Sequence, residues 1–198
     1  MEIRKRLIAA ALVLSAGTAS AQGGWQFQCP PAGSRVELSG GGSIAFRGTD
    51  RANPLVCLTD NDNRRFAGLF NANLPALADG GLAQLRGLFP ASPGRQPVVV
   101  RYSQFDTRTN TNETFTDTWK VLSMGLLRVP AGSFTAIGFE RATVGAFQGR
   151  YRHNTRFWLD IASGAPLKVE HDFLAGHPGP GTRDWEATAV RLPAPPRS

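Results

Sequence analysis

Two segments between residues 151 and 174 place apolar side chains at every second position, and that period points to antiparallel sheet. Tyr151, His153, Phe157, Leu159 and Ile161 share one face of the first segment. Leu167, Val169, His171 and Phe173 share one face of the second. Slipping the pair by one residue would bury Lys168 and Glu170, so the faces are firmly specified. A loop at residues 162–166 sets Ile161 opposite Leu167, Arg156 opposite Asp172 and Asp160 opposite Lys168, with the charges on the outer face and His171 facing Phe157. A second loop at 148–150 sets Ile137 against Ile161 and Phe139 against Leu159, and leaves Arg141 against Phe157.

The rest of the chain reads in the same way. Val36 and Leu38 face Ile44 and Phe46 across Gly40-Gly41-Gly42, a hairpin with a glycine loop. Residues 55–58 and 66–70 are further strand candidates, separated by the turn Asp60-Asn61-Asp62-Asn63. Strands are expected at 98–105 and 114–123, the latter with Phe115, Asp117, Trp119 and Val121 on one face, and at 183–192. Leu74, Leu77, Leu82, Leu85 and Leu88 or Phe89 form the one helical stripe, with Pro75 suited to a first turn, and Gly80-Gly81 weakens its middle, so that two short helices are the alternative. The expected fold class is mainly β (α+β): a curved antiparallel sheet or open half-barrel with one short helical segment near 74–89.

At the start of the chain, Arg4, Lys5 and Arg6 precede an apolar run at 7–14, and Ala19-Ser20-Ala21 is a small-residue cleavage site. These are the parts of a secretory signal peptide, and the apolar run is too short to span a bilayer. Cleavage between Ala21 and Gln22 divides the chain into a signal peptide at 1–21, a β-rich domain at 22–192 and a disordered proline-rich tail at 193–198. A lipoprotein would carry cysteine where Gln22 stands. The mature chain is expected to be free and soluble in the periplasm, and not an integral membrane protein. Irregular strands and the proline-rich end also argue against an outer-membrane barrel.

Removing Glu2, Arg4, Lys5 and Arg6 with the signal leaves 19 basic and 14 acidic residues, a net charge of +5 in place of +7. This mild excess, without a basic stripe, argues against nucleic acid as a partner. Cys29 and Cys57 are the only cysteines, and in an oxidising compartment they are expected to pair.

Motifs for chemistry are scarce. Nucleophile-elbow, Ser-x-x-Lys and P-loop patterns are absent from the sequence. The 60–63 segment lacks the glycine and distal glutamate of a calcium loop, since Arg65 and Asn71 stand in those places. His153 and His171 fall on one inner face without an obvious third ligand, so no metal and no cofactor are expected. Asp117 is the odd placement, a carboxylate on an apolar face. Asp117, Trp119, His153 and His171 are therefore the candidates for a ligand cavity or polar site. Arg150, Arg152, Arg156 and Trp158 share the outer face of one strand and form a candidate anion or glycan patch, with Arg156 also placed to pair with Asp172.

The segment Val129-Pro130-Ala131-Gly132-Ser133-Phe134, then Phe157-Trp158, then Gly164-Ala165-Pro166-Leu167-Lys168-Val169-Glu170 resembles the C-terminal meander of uncharacterised proteobacterial periplasmic proteins. The sheets of that family look like the open half-barrels of lipoprotein carriers. The resemblance covers residues 120–175, implies a fold rather than an activity, and carries over no catalytic residue. Three functions are weighed in order: a non-enzymatic binding module for an apolar, lipid-like or amphipathic ligand, an envelope interaction or assembly factor whose partner is a protein, and an envelope-polymer hydrolase.

Overall fold

A long hairpin dominates the computed structural model, which describes residues 24–78, 80–106, 110–145, 151–176 and 182–194. Its arms are β7 (Thr111–Val129) and β8 (Gly132–Gly145), paired from Val129↔Gly132 to Phe115↔Gly145. β7 extends beyond the expected 114–123 because a bulge between Val121 and Ser123 absorbs the break in alternation. β6 (Val98–Asp106) pairs with the first half of β7, and β9 (Arg152–Asp160) and β10 (Pro166–Ala175) follow β8.

The N-terminal meander is β1 (Arg35–Leu38), β2 (Ser43–Thr49), β3 (Val56–Thr59), β4 (Arg64–Phe66) and β5 (Phe70–Asn71). Its first hairpin has the expected register, Val36 opposite Ile44. The single strand expected at 66–70 is instead two short ones, because Ala67 and Gly68 take positive φ and turn the chain. β11 (Trp185–Arg191) pairs with both β1 and β10 and joins the two meanders. The result is one open antiparallel sheet in the order β5-β4-β3-β2-β1-β11-β10-β9-β8-β7-β6. It curls far enough for the tip of the long hairpin to reach β11, where Ala131 N donates to Ala187 O at 2.9 Å.

The expected faces are correct, but the register of β9 differs from the expected one by two residues on both sides. Lys168 lies opposite Trp158, Glu170 opposite Arg156 and His171 opposite Thr155. Ile137 lies opposite Leu159, Phe139 opposite Phe157 and Arg141 opposite Thr155. On the β10 side the cause is the turn after β9, while the loop expected at 148–150 lies outside the described residues. Asp160 accepts hydrogen bonds from Ser163 N at 2.9 Å and Ser163 Oγ at 2.6 Å, and Asp160 N donates to Ala165 O. That turn closes earlier than a loop at 162–166, and Asp160, opposite Ala136 on the same face as Trp158, is buried within it rather than exposed. A shift of two preserves every face, so the alternation alone had no power to detect it.

The helical segment is shorter than the leucine stripe implies. Only α1 (Gly81–Leu85) is α-helical, continued by a 3-10 turn at Arg86–Leu88. Gly80 has φ of 92°, and a Cβ on Gly81 would overlap the carbonyl oxygen of Ala76, so turns replace a helix before this point. Leu77, Leu85 and Leu88 are nonetheless buried in one cluster with Phe66, Trp119, Phe139 and Phe157. These side chains pack together between the leucine segment and the sheet. Cys29 and Cys57 form the expected disulfide, with Cα atoms 5.5 Å apart, and tie the first described segment to β3.

Candidate functional site

Cross-strand neighbours share a face, so the register sorts the inner side of β6–β10 into rows. Val121, Phe139, Phe157 and Val169 make the apolar row at the core. The next is Trp119, Arg141, Thr155 and His171, and the one after it Asp117, Thr143, His153 and Phe173. Tyr102, Phe115 and Tyr151 close the series. A core of ordinary composition thus gives way to two polar rows, and these end in an aromatic rim.

Asp117 is wholly buried and is held by three donors. Arg141 donates from Nε to Asp117 Oδ2 at 2.8 Å and pairs through Nη2 at 2.7 Å, while Thr143 Oγ1 donates to Oδ1 at 2.7 Å. The guanidinium lies 5.3 Å from the Trp119 ring and 5.7 Å from the Phe70 ring, and Nη2 also reaches Tyr102 OH at 3.4 Å. An internal ion pair accounts for a carboxylate at this inward position. The Trp119 indole N–H is buried and has no hydrogen-bond partner among the described residues.

The histidines form the second half of the site. His153 Nε2 and His171 Nδ1 are 3.0 Å apart, within hydrogen-bond distance. Thr155 Oγ1 lies 3.5 Å from the first nitrogen and 3.3 Å from the second. The Phe173 ring stacks on His153 with centroids 4.0 Å apart. Burial, then the neighbouring His171 and Arg141, pushes His153 down to about 4, and burial lowers His171 as well. Burial and the charge of Asp117 push Tyr102 up to about 12, and burial raises Tyr151. At neutral pH this end of the sheet is therefore a set of uncharged donors and acceptors beside one internally neutralised ion pair. Tyr102, Phe115, Tyr151, His171 and Phe173 are all half-buried, which opens the site to solvent at its rim.

The structure brings all four candidate inner residues, Asp117, Trp119, His153 and His171, onto adjacent rows. Arg141, Thr143, Thr155, Tyr102 and Tyr151 were missed as members. Arg141 had signalled itself in the sequence as a cation on an inner face, but the shifted register set it against Phe157 and disguised its partner.

Of the outer patch, Arg152, Arg156 and Trp158 share one face of β9. Arg156 pairs with Glu140 at 3.0 Å, not with Asp172, and Lys120 pairs with the same glutamate at 2.8 Å. Lys168 bridges Glu170 and Glu186, both at 2.9 Å, and sits 5.7 Å from the Trp158 ring. The outer face is a ladder of alternating charge, with Arg156 and the Trp158 ring already engaged. Burial alone would raise the Glu140 carboxyl, but hydrogen bonds from Lys120 and Arg156 outweigh it and hold it below the usual range. Arg152 is exposed, and Arg150, the Ala21-Gln22 cleavage site and residues 195–198 of the expected tail lie outside the described residues.

A scan of protein-family models and searches of curated proteins and of solved structures each find no match.

Two shallow clefts, of about 260 and 210 Å³, lie outside the polar rows. The first runs along β10 and β11 between Lys168, Glu170 and Glu186, and the second lies beside Met124, Leu126 and Trp158. No helix among the described residues is long and apolar enough to cross a membrane.

Proposed function

We propose that the chain is an exported, non-enzymatic periplasmic binding module, and that an amphipathic ligand docks at the aromatic-rimmed polar end of the concave sheet face. The observation that carries this is the pair of polar rows. Side chains of the size of Trp119, Phe139 and Phe157 would fill those positions with less risk to stability than a network that must satisfy every member. In this reading the half-buried Tyr102, Phe115, Tyr151 and Phe173 receive the apolar part of the ligand. The tyrosine hydroxyls, the neutral histidines and Arg141 receive its polar head. A likeness of residues 120–175 to half-barrel carriers is in keeping with this proposal.

Native mass spectrometry of protein isolated from its own periplasm, with titration of the amphipathic dye anilinonaphthalene sulfonate, tests it. A co-purifying adduct and dye binding that weakens in Tyr151→Ala are expected. Neither adduct nor dye binding would sink the idea.

A second reading, an envelope assembly factor, is favoured by one observation. Met124 and Leu126 are exposed at 42% and 69% on a stretch of β7 that runs past the end of β6.

A further inference from the structure

The donor atoms of His153, His171 and Thr155 meet at one point. Thr155 and His171 are directly opposite on β9 and β10, and His153 is two residues along the same face. This arrangement puts two imidazole nitrogens and a hydroxyl oxygen at the corners of a triangle with sides of 3.0, 3.3 and 3.5 Å. Each corner lies about 1.9 Å from the common centre, close to the 2.0–2.1 Å bond that zinc makes to histidine nitrogen. The soft χ2 of histidine lets each ring turn its lone pair from its neighbour toward that centre.

We propose that His153, His171 and Thr155 hold one transition-metal ion of the copper or zinc class. Tyr151 OH lies 3.4 Å from His153 Nδ1; in the metal-bound form it would accept the N–H of that nitrogen and leave the lone pair on Nε2, the nitrogen inside the triangle. The Phe173 ring stacks on the same imidazole, with centroids 4.0 Å apart. The donor set selects the ion. It contains no carboxylate: Asp117 is spent on Arg141 and Thr143, Asp184 Oδ1 accepts the backbone N–H of His171, and Asp172 is exposed on the outer face. Calcium and magnesium require oxygen anions, whereas imidazole suits copper and zinc, and copper(II) stands highest in the divalent series. No third His, Cys, Asp or Glu joins the group among the described residues. These three donors leave at least one position of a four-coordinate ion for an exogenous ligand.

The proposal goes beyond the ligand-binding reading and does not depend on it. Copper(II) alone is the probe, titrated into the mature, disulfide-bonded chain with His177→Gln as background, so that His153 and His171 are the only histidines present. One equivalent is expected, with pulsed electron paramagnetic resonance showing two imidazole nitrogens. His153→Gln and His171→Gln each weaken binding at least ~100-fold, and Tyr151→Phe weakens it ~10-fold. A spectrum without imidazole nitrogens, or affinity unchanged in both glutamine variants, overturns the proposal. The spectrum of the unsubstituted pair decides the matter even where a variant fails to fold. Dye binding without copper binding rejects this site alone, and copper binding without dye binding rejects the amphipathic-ligand reading alone.

Discussion

Replacing Asp117 by Ala strips Arg141 of its counter-ion in a place with little water to take over. The Arg141 side chain is only 14% exposed and Asp117 is 0% exposed, and the guanidinium lies against both the Trp119 and Phe70 rings. Breaking a buried pair from one side costs about 3–5 kcal/mol because the remaining charge is left uncompensated. The partial exposure of Arg141 places the expected loss near the lower end, about 3 kcal/mol. For a chain of this size that is a fall in Tm of roughly 6–12 °C. The logic makes a sharper demand on the double variant Asp117→Val/Arg141→Met. With both charges gone the desolvation penalty disappears with them, and stability returns to within about 1 kcal/mol of the parent or exceeds it. Urea unfolding followed by tryptophan fluorescence, with the disulfide intact, measures both. A single variant costing under about 1 kcal/mol, or a double variant no better than the single, refutes the claim that this pair is buried and mutually dependent.

Three further outcomes follow from named features. Reducing Cys29–Cys57, or replacing both by Ala, should lower stability by about 3–4 kcal/mol by freeing the 28-residue separation in the unfolded chain, read as a shift in the urea midpoint. His153 has a folded pKa of about 4 against 6.5 unfolded, so the unfolded chain binds the proton more readily. Stability is full above about pH 6.5 and falls by on the order of 3 kcal/mol as pH drops toward 4; in EDTA-treated protein, His153→Phe should flatten that slope, and an unchanged slope would reject burial as its cause. Gly81→Ala should cost about 1–3 kcal/mol through the clash with Ala76 O, measured by thermal unfolding, whereas the same change at the exposed Gly125, where a Cβ meets nothing, should be nearly neutral.

Periodicity made the faces of β9 and β10 legible, because burying Lys168 or Glu170 is costly enough to exclude the odd slips. It had nothing to say about even slips. The register depends on Asp160 folding back onto Ser163, a local side-chain bond that alternation does not encode. The same limit hid the site. His153, His171, Asp117 and Trp119 were visible as inner residues, but the partner of each is set by register, so Arg141 appeared stranded and Arg156 appeared bound to Asp172. The leucine stripe at 74–88 misled for a different reason: burial of Leu77, Leu85 and Leu88 needs only turns that point them inward, and the close approach of Gly81 to Ala76 leaves no room for continuous helix. The disulfide was legible from count and compartment alone.

The most direct test of the binding proposal is chemical-shift mapping of the mature chain during titration with anilinonaphthalene sulfonate. The proposal expects the shifts to gather on Tyr102, Phe115, Tyr151, His153 and His171. Shifts confined to Met124, Leu126 and Trp158, or no shifts at all, would contradict it.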